Sequence, residues 1–192
     1  MRSVSLAVAA LAGALAAAVP ASAYEIDVLT GQPLVVTQDM ARAQVNPIPR
    51  EEVEFTGKHR PGTIVVSTSD RRLYYVLPGG RAISYGIGVG RPGFTWSGVK
   101  TISAKREWPD WTPPPEMLAR RPDLPRHMEG GPDNPLGARA LYLGSSLYRI
   151  HGSNEPETIG QAVSSGCIRM TNEDVEDLYE RVKIGTRVVV LR

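Results

Sequence analysis

Thr63-Ile64-Val65-Val66-Ser67-Thr68, then Ser69-Asp70, Leu73-Tyr74-Tyr75-Val76-Leu77 and Pro78-Gly79-Gly80 follow one another in quick succession. β-Branched and aromatic residues fill the two apolar runs, and Ser-Asp and Pro-Gly-Gly are the turn chemistry that separates consecutive strands. Ala82 to Val89 alternates into a third strand. Runs this short, joined by turns this tight, leave no room for the helical crossovers of a parallel βαβ array, so the reading is a sheet-rich domain. Further strands read at Val99–Ala104, Ala140–Leu143, Leu147–Ile150 and Arg187–Leu191. The helices are few and short. Glu116 to Arg120 is one, ended by Pro122, and Pro156 to about Val163 is a second. A third is capped by Thr171 or Asn172, carries Glu173 and Asp174 in its first turn, and ends at Gly185. Val175, Leu178, Tyr179 and Val182 make its apolar stripe. Gly86, Gly88 and Gly90 have the spacing of a phosphate-binding loop, but no helix follows them, so they mark a close approach of strands or ligand.

Outward from this domain the N-terminus reads differently. Met1-Arg2 opens a run rich in Ala, Val and Leu from Val4 to Val19, closed by Pro20-Ala21-Ser22-Ala23. A basic start, an apolar middle and an Ala-x-Ala end are a secretory signal peptide over residues 1–23. The run is short and mostly alanine, so no stable membrane span is expected in the mature form. The protein is therefore expected in the periplasm or cell envelope. Residues 24–60, with Pro33, Pro47 and Pro49 and no sustained period, read as an N-terminal arm or linker before a domain at 61–192. Of 22 basic residues only Arg2 falls in the signal peptide, against 20 acidic ones. A mature chain so nearly neutral offers no electrostatic argument for nucleic acid.

Chemistry concentrates in two stretches, Arg149-Ile150-His151-Gly152-Ser153-Asn154 and Ser164-Ser165-Gly166-Cys167-Ile168-Arg169-Met170. Cys167 is the sole cysteine, and fifteen residues separate it from His151. A lone cysteine before Ile is commonly a small buried apolar residue. In an exported chain, however, an unpaired thiol is a liability unless it is used. Imidazole can take the thiol proton and return it to a leaving amine. Backbone N–H groups near Gly166 and Cys167 are candidates for an oxyanion hole. His151 needs an acceptor on its other nitrogen, and a backbone carbonyl such as that of Gly152 is the candidate. Arg169 either faces a substrate carboxylate or braces the loop. One cysteine and scattered histidines supply too few ligands at zinc spacing, so neither a metal nor another cofactor is expected. His127 has no partner nearby in sequence and reads as a surface residue. Arg121 to Gly137 is a long irregular loop, read as a wall of the substrate groove.

His151-Gly152-Ser153-Asn154 and Ser165-Gly166-Cys167-Ile168-Arg169-Met170 with Asn172 resemble the signature of the L,D-transpeptidase (YkuD-type) catalytic domain. The agreement extends through Tyr85-Gly86-Ile87-Gly88-Val89-Gly90, Trp108-Pro109 and Asn134-Pro135-Leu136-Gly137-Ala138-Arg139-Ala140-Leu141, covering about residues 60 to 192. The resemblance implies a mainly β fold: a YkuD-like β-sandwich of mixed sheets with a few short helices. It also implies Cys167 and His151 as catalytic. Gly152, Ser165 and Gly166 are the candidate orienting or oxyanion residues, and Arg169, Ser153 and Asn154 are the candidate substrate contacts. The implied partners are peptidoglycan stem peptides, with a second diaminopimelate side chain or an envelope protein as acyl acceptor. One departure stands out. Many members carry His just before the Gly-Cys pair, where this chain has Ser165. The alternatives are a peptidoglycan hydrolase using the same Cys–His pair and a non-catalytic peptidoglycan-binding protein. The reactivity of the thiol separates the last from the others.

Overall fold

The structure, a computed structural model, describes residues 48–192, so the expected signal peptide and most of the arm lie outside the described residues. Eleven strands follow in order: β1 (Glu51–Glu54), β2 (Ile64–Ser67), β3 (Arg72–Leu77), β4 (Arg81–Gly86), β5 (Val89–Gly90), β6 (Gly98–Glu107), β7 (Arg139–Leu143), β8 (Arg149–His151), β9 (Ala162–Ser164), β10 (Ile168–Arg169) and β11 (Arg187–Leu191). Two α-helices accompany them among the described residues: α1 (Pro115–Arg120) and α2 (Asn172–Arg181).

Nine strands form one sheet in the order β1-β4-β3-β2-β11-β6-β7-β8-β10, and β5 pairs with β9 in a second ladder. The mainly β, mixed-sheet architecture is the expected one. Its two layers are halves of a single curled sheet rather than separate sheets. The join is β6. Its first residues pair with β11, its later ones with β7, and the register shifts between Ile102 and Ala104. An irregularity of this kind lets one strand leave one layer and enter the other. Ile64, Leu73 and Tyr85 from one half meet Leu141, Ile150 and Met170 from the other in a common core, with Val175 and Leu178 of α2. The central strands β2 and β11 lie side by side and parallel. Their runs Ile64-Val65-Val66 and Val188-Val189-Val190 are buried at every position, which is why they lack an alternating pattern.

Four local expectations change. The third strand, expected over Ala82 to Val89, ends at Gly86, and Val89–Gly90 pairs with β9 in the separate ladder. The helix expected from Pro156 is a single 3₁₀ turn, Pro156–Thr158, and the residues after it form β9. Parallel pairing with β5 holds that segment extended against its weak helical pattern. The arm is not wholly irregular, because Glu51–Glu54 pair antiparallel with β4 as an edge strand. Finally, α2 stops at Arg181, before Gly185, and Val182 closes it with a bond to the Leu178 carbonyl. The expected N-cap is Thr171, whose hydroxyl accepts from the Asp174 amide.

Candidate active site

The site is built where β8 meets β10. These strands run parallel, with Ile150 opposite Ile168 and His151 opposite Arg169. Ile150 and Ile168 are both buried in the core. Alternation along each strand then sends Arg149, His151, Cys167 and Arg169 to the opposite face. All four line one groove of about 880 Å³. Positions offset by two residues across a ladder lie roughly 7–8 Å apart at Cα, within reach of an imidazole. The ladder thus closes the fifteen-residue gap between His151 and Cys167.

Cys167 follows a turn held from several directions. Gly166 has φ of +107°, and a side chain there would strike the Tyr148 ring. The Ser164 hydroxyl accepts from the Gly166 amide (3.1 Å) and donates to the Cys167 carbonyl (2.6 Å). Trp96 donates its indole N–H to the Gly166 carbonyl at 2.8 Å and stacks on Tyr148 at 4.5 Å between ring centroids. In the loop that leads from β5 into β6, Trp96 thus fastens the turn and Phe94 lines the groove. Cys167 is partly exposed, and its thiol lies 3.7 Å from the Leu147 carbonyl. Burial pushes that thiol above its ordinary pKa, against the opposing pull of Arg149 and Arg169.

His151 is 4% exposed, and its Nδ1 lies 2.6 Å from the Gly152 carbonyl. A carbonyl only accepts, so Nδ1 carries the proton and Nε2 the lone pair. Burial first, then the positive charge of Arg169, pushes the imidazole pKa down to about 3, although the Gly152 carbonyl works the other way. Near neutral pH the pair rests as thiol and neutral imidazole.

The loop carrying this histidine is tied to α2. Asn172 Oδ1 accepts from the amides of Ala138 (2.9 Å) and Ser153 (3.2 Å). A side chain at Gly137 or Gly152 would collide with that oxygen, so both glycines are needed for the approach. Asn134 organises the groove wall in the same manner. Its amide donates to the carbonyls of Pro109, Met128 and Glu129, and its Oδ1 accepts from the Leu136 amide at 2.9 Å. The loop beginning at Arg121 does form a wall, through Leu124, Met128 and Leu136.

The remaining expected residues divide. Ser165 and Asn154 line the groove. Asn154 also donates to the Asp133 carbonyl at 3.0 Å. Arg169 lines it too, but its guanidinium is committed to Glu155 (2.8 Å) and Thr158 (3.4 Å). Ser153 is buried, accepts from the Glu155 amide at 2.9 Å, and borders a separate cavity of about 310 Å³. The Gly166 amide is occupied by Ser164. His127 is exposed, with Thr112 at 3.4 Å and Asp110 at 3.9 Å. Ser164, Asn134 and Arg149 were not singled out from sequence, although all stand in the motif blocks. Among the described residues no three His, Cys, Asp or Glu side chains converge to hold a metal.

A mixed β-sheet that brings a cysteine and a histidine to the end of one parallel ladder, above an open groove, defines a class of domain with known members. A family model described as the L,D-transpeptidase catalytic domain, YkuD, matches residues 61–190. The chain belongs to that family. The probable L,D-transpeptidase ErfK/SrfK of Escherichia coli strain K12 is 42% identical over 137 residues, which cover 67% of this chain and 43% of that protein. The chain thus spans about two fifths of the length of the first curated relatives it matches. L,D-transpeptidase 3 of Mycobacterium tuberculosis, solved in complex with a faropenem-derived adduct, shares the fold with a TM-score of 0.54 and 20% identity, over 68% of this chain and 60% of that one. A Brucella melitensis structure described as a probable carnitine operon oxidoreductase is 50% identical, over 74% of this chain and 93% of that one, with a TM-score of 0.51. No helix among the described residues is long and apolar enough to cross a membrane.

Proposed function

We propose that this chain is a cysteine-dependent peptidoglycan L,D-transpeptidase, exported through the segment at residues 1–23 to the periplasm or cell envelope. The observation that carries the reading is the register of β8 on β10, which turns His151 and Cys167 onto one groove face. His151 Nε2 takes the thiol proton as Cys167 Sγ attacks the carbonyl of the third residue of a stem tetrapeptide. With the Gly166 amide engaged by Ser164, the Cys167 amide is the donor assigned to the oxyanion. The C–N bond breaks, His151 returns its proton to the departing nitrogen, and D-alanine leaves. An acceptor amine then attacks the thioester and gives up a proton to His151, which passes it to the released sulfur. The product is an amide: a 3→3 cross-link when the amine is a diaminopimelate side chain, or an anchored protein when it is a lysine. Arg169, committed to Glu155, braces the loop, and Asn154 borders the path of the substrate.

Incubating the protein with muropeptides and identifying products by mass tests this. Released D-alanine with a cross-linked dimer is expected, and Cys167→Ala, folded by circular dichroism, should give neither. Release that persists in Cys167→Ala would refute the assignment. Carbapenems test the same thiol, since opening their strained ring on Cys167 adds the whole drug mass with nothing expelled. A relative in fold was solved with a faropenem-derived adduct. The expected intact-mass adduct should be lost in Cys167→Ala.

A further inference from the structure

Two arginines flank the His151–Cys167 pair on the groove face, one from each strand, and their surroundings differ. Arg169 is paired with Glu155. Arg149 is not: no carboxylate pairs with it among the described residues, its Nε is buried without a hydrogen-bond partner as that of Arg169 also is, and its side chain reaches the Cys167 thiol. Its guanidinium carbon stands 5.2 Å from the centre of the Tyr142 ring, which supports the cation without neutralising it. A half-buried guanidinium with no counter-ion costs stability, and it becomes favourable once an anion arrives to pair with it.

The position of Arg149 narrows what that anion is. Extending the β8–β10 register by one residue from Ile150 and Ile168 sets Arg149 across from Cys167, at a strand spacing of about 5 Å. An anion held there lies within a few bonds of the carbonyl under attack. An amino acid leaving from that carbonyl carries its own carboxylate on the carbon next to the departing nitrogen. One residue further along a donor, the carboxylate would be displaced by roughly 3.5 Å.

We propose that Arg149 is a specificity residue that grips the free α-carboxylate of the leaving amino acid, selecting donors that end one residue beyond the scissile bond. The proposal rests on the transpeptidase reading above. Arg149 orients the donor and transfers no proton, and its partner departs with the leaving group, so the site clears after acylation.

The test compares a stem tetrapeptide having a free terminal carboxylate with the same peptide ending in a carboxamide. D-alanine or D-alaninamide release is measured as kcat and KM for the wild type, Arg149→Gln and Arg149→Lys, with thermal unfolding of each. The wild type should prefer the acid by about tenfold to a hundredfold, the range of a charge-assisted pair. In Arg149→Gln that ratio should fall toward one, mainly through the KM of the acid, and Arg149→Lys should keep part of it. If Arg149→Gln fails to fold, the ratio in Arg149→Lys decides, because a point charge replaces the planar fork. An unchanged ratio in the folded variants, or an equal fall on both donors, would overturn the proposal while leaving the transpeptidase reading intact. Release from neither donor by the wild type would overturn both.

Discussion

At His151 and Cys167 the environment, more than the residue type, determines the protonation state. Imidazole titrates near 6.5 when solvated, but the burial of His151 keeps it neutral across the range in which an enzyme works. Cys167 is pushed the other way, above its ordinary pKa, by the same cause. In the proposed reaction, proton transfer then belongs to the attack itself rather than to a preformed thiolate. Alkylation of the resting protein by iodoacetamide follows the thiolate fraction, which grows with pH until the thiol has titrated. Because the shift is upward, the rate should still be rising at pH 9. A plateau below pH 7 would show a standing thiolate–imidazolium pair and contradict this. A second expectation follows at Ser165, which cannot act as a base near pH 7. His151→Ala should lower initial D-alanine release by about 10²–10⁴, the usual worth of general-base assistance. Ser165→Ala should cost no more than a hydrogen bond, about 1 kcal/mol. Equal losses in the two variants would show that this division of roles is wrong.

Among the elements, the working unit is a short ladder clamped by a helix N-terminus. β8 and β10 are too short to hold their own geometry. Asn172, in the first turn of α2, holds the loop after His151 by binding the amides of Ser153 and Ala138. Asn172→Ala strands both donors, and leaving buried amides unsatisfied costs about 1–3 kcal/mol apiece at most. Thermal unfolding should register the loss, and D-alanine release should fall further than stability alone explains, because Gly152 and with it the His151 ring are freed to move. Asn172→Asp keeps an acceptor oxygen and should recover much of both. Equal activity in wild type and a folded Asn172→Ala would remove the clamp from the account. The same scale explains the misread segment after Pro156. Its proline and acidic start are helix-like, but pairing with β5 and the need to deliver Ser164 to the turn keep it extended.

In the whole domain, a curled sheet places its groove at one end and its only described N-terminal extension at the other edge. β1 carries three glutamates on an exposed edge, which discourages pairing with another chain. Before it, Ile48 packs against Gly86, where an added side chain would displace it, and Arg50 lies 3.3 Å from Asp177. Asp177 in turn accepts the buried Tyr85 hydroxyl at 2.6 Å. This strap contributes a modest stabilisation through the edge ladder of β1 on β4 and a few half-buried contacts, so a chain beginning at Gly57 should unfold cooperatively but with stability lower by about 1–3 kcal/mol, from the bonds removed. Denaturant melts of the two lengths measure it, and identical midpoints would show that the strap holds nothing.

Local chemistry was sufficient for most elements, because turn residues and β-branched runs report on their immediate neighbours. The strands of the first sheet half, the helix after Thr171 and the long irregular wall were legible for that reason, and so were Cys167 and His151 as residue types able to cooperate. Tertiary pairing decided the rest. Only the parallel register shows that Arg149 and His151 share a face with Cys167, that Ser153 turns away from the groove, and that Arg169 is already paired. Each of these depends on which strand lies alongside which, and a strand's own sequence specifies its two faces without naming its neighbour. The protonation states follow the same rule, since they are set by burial and charge brought from residues distant in the chain.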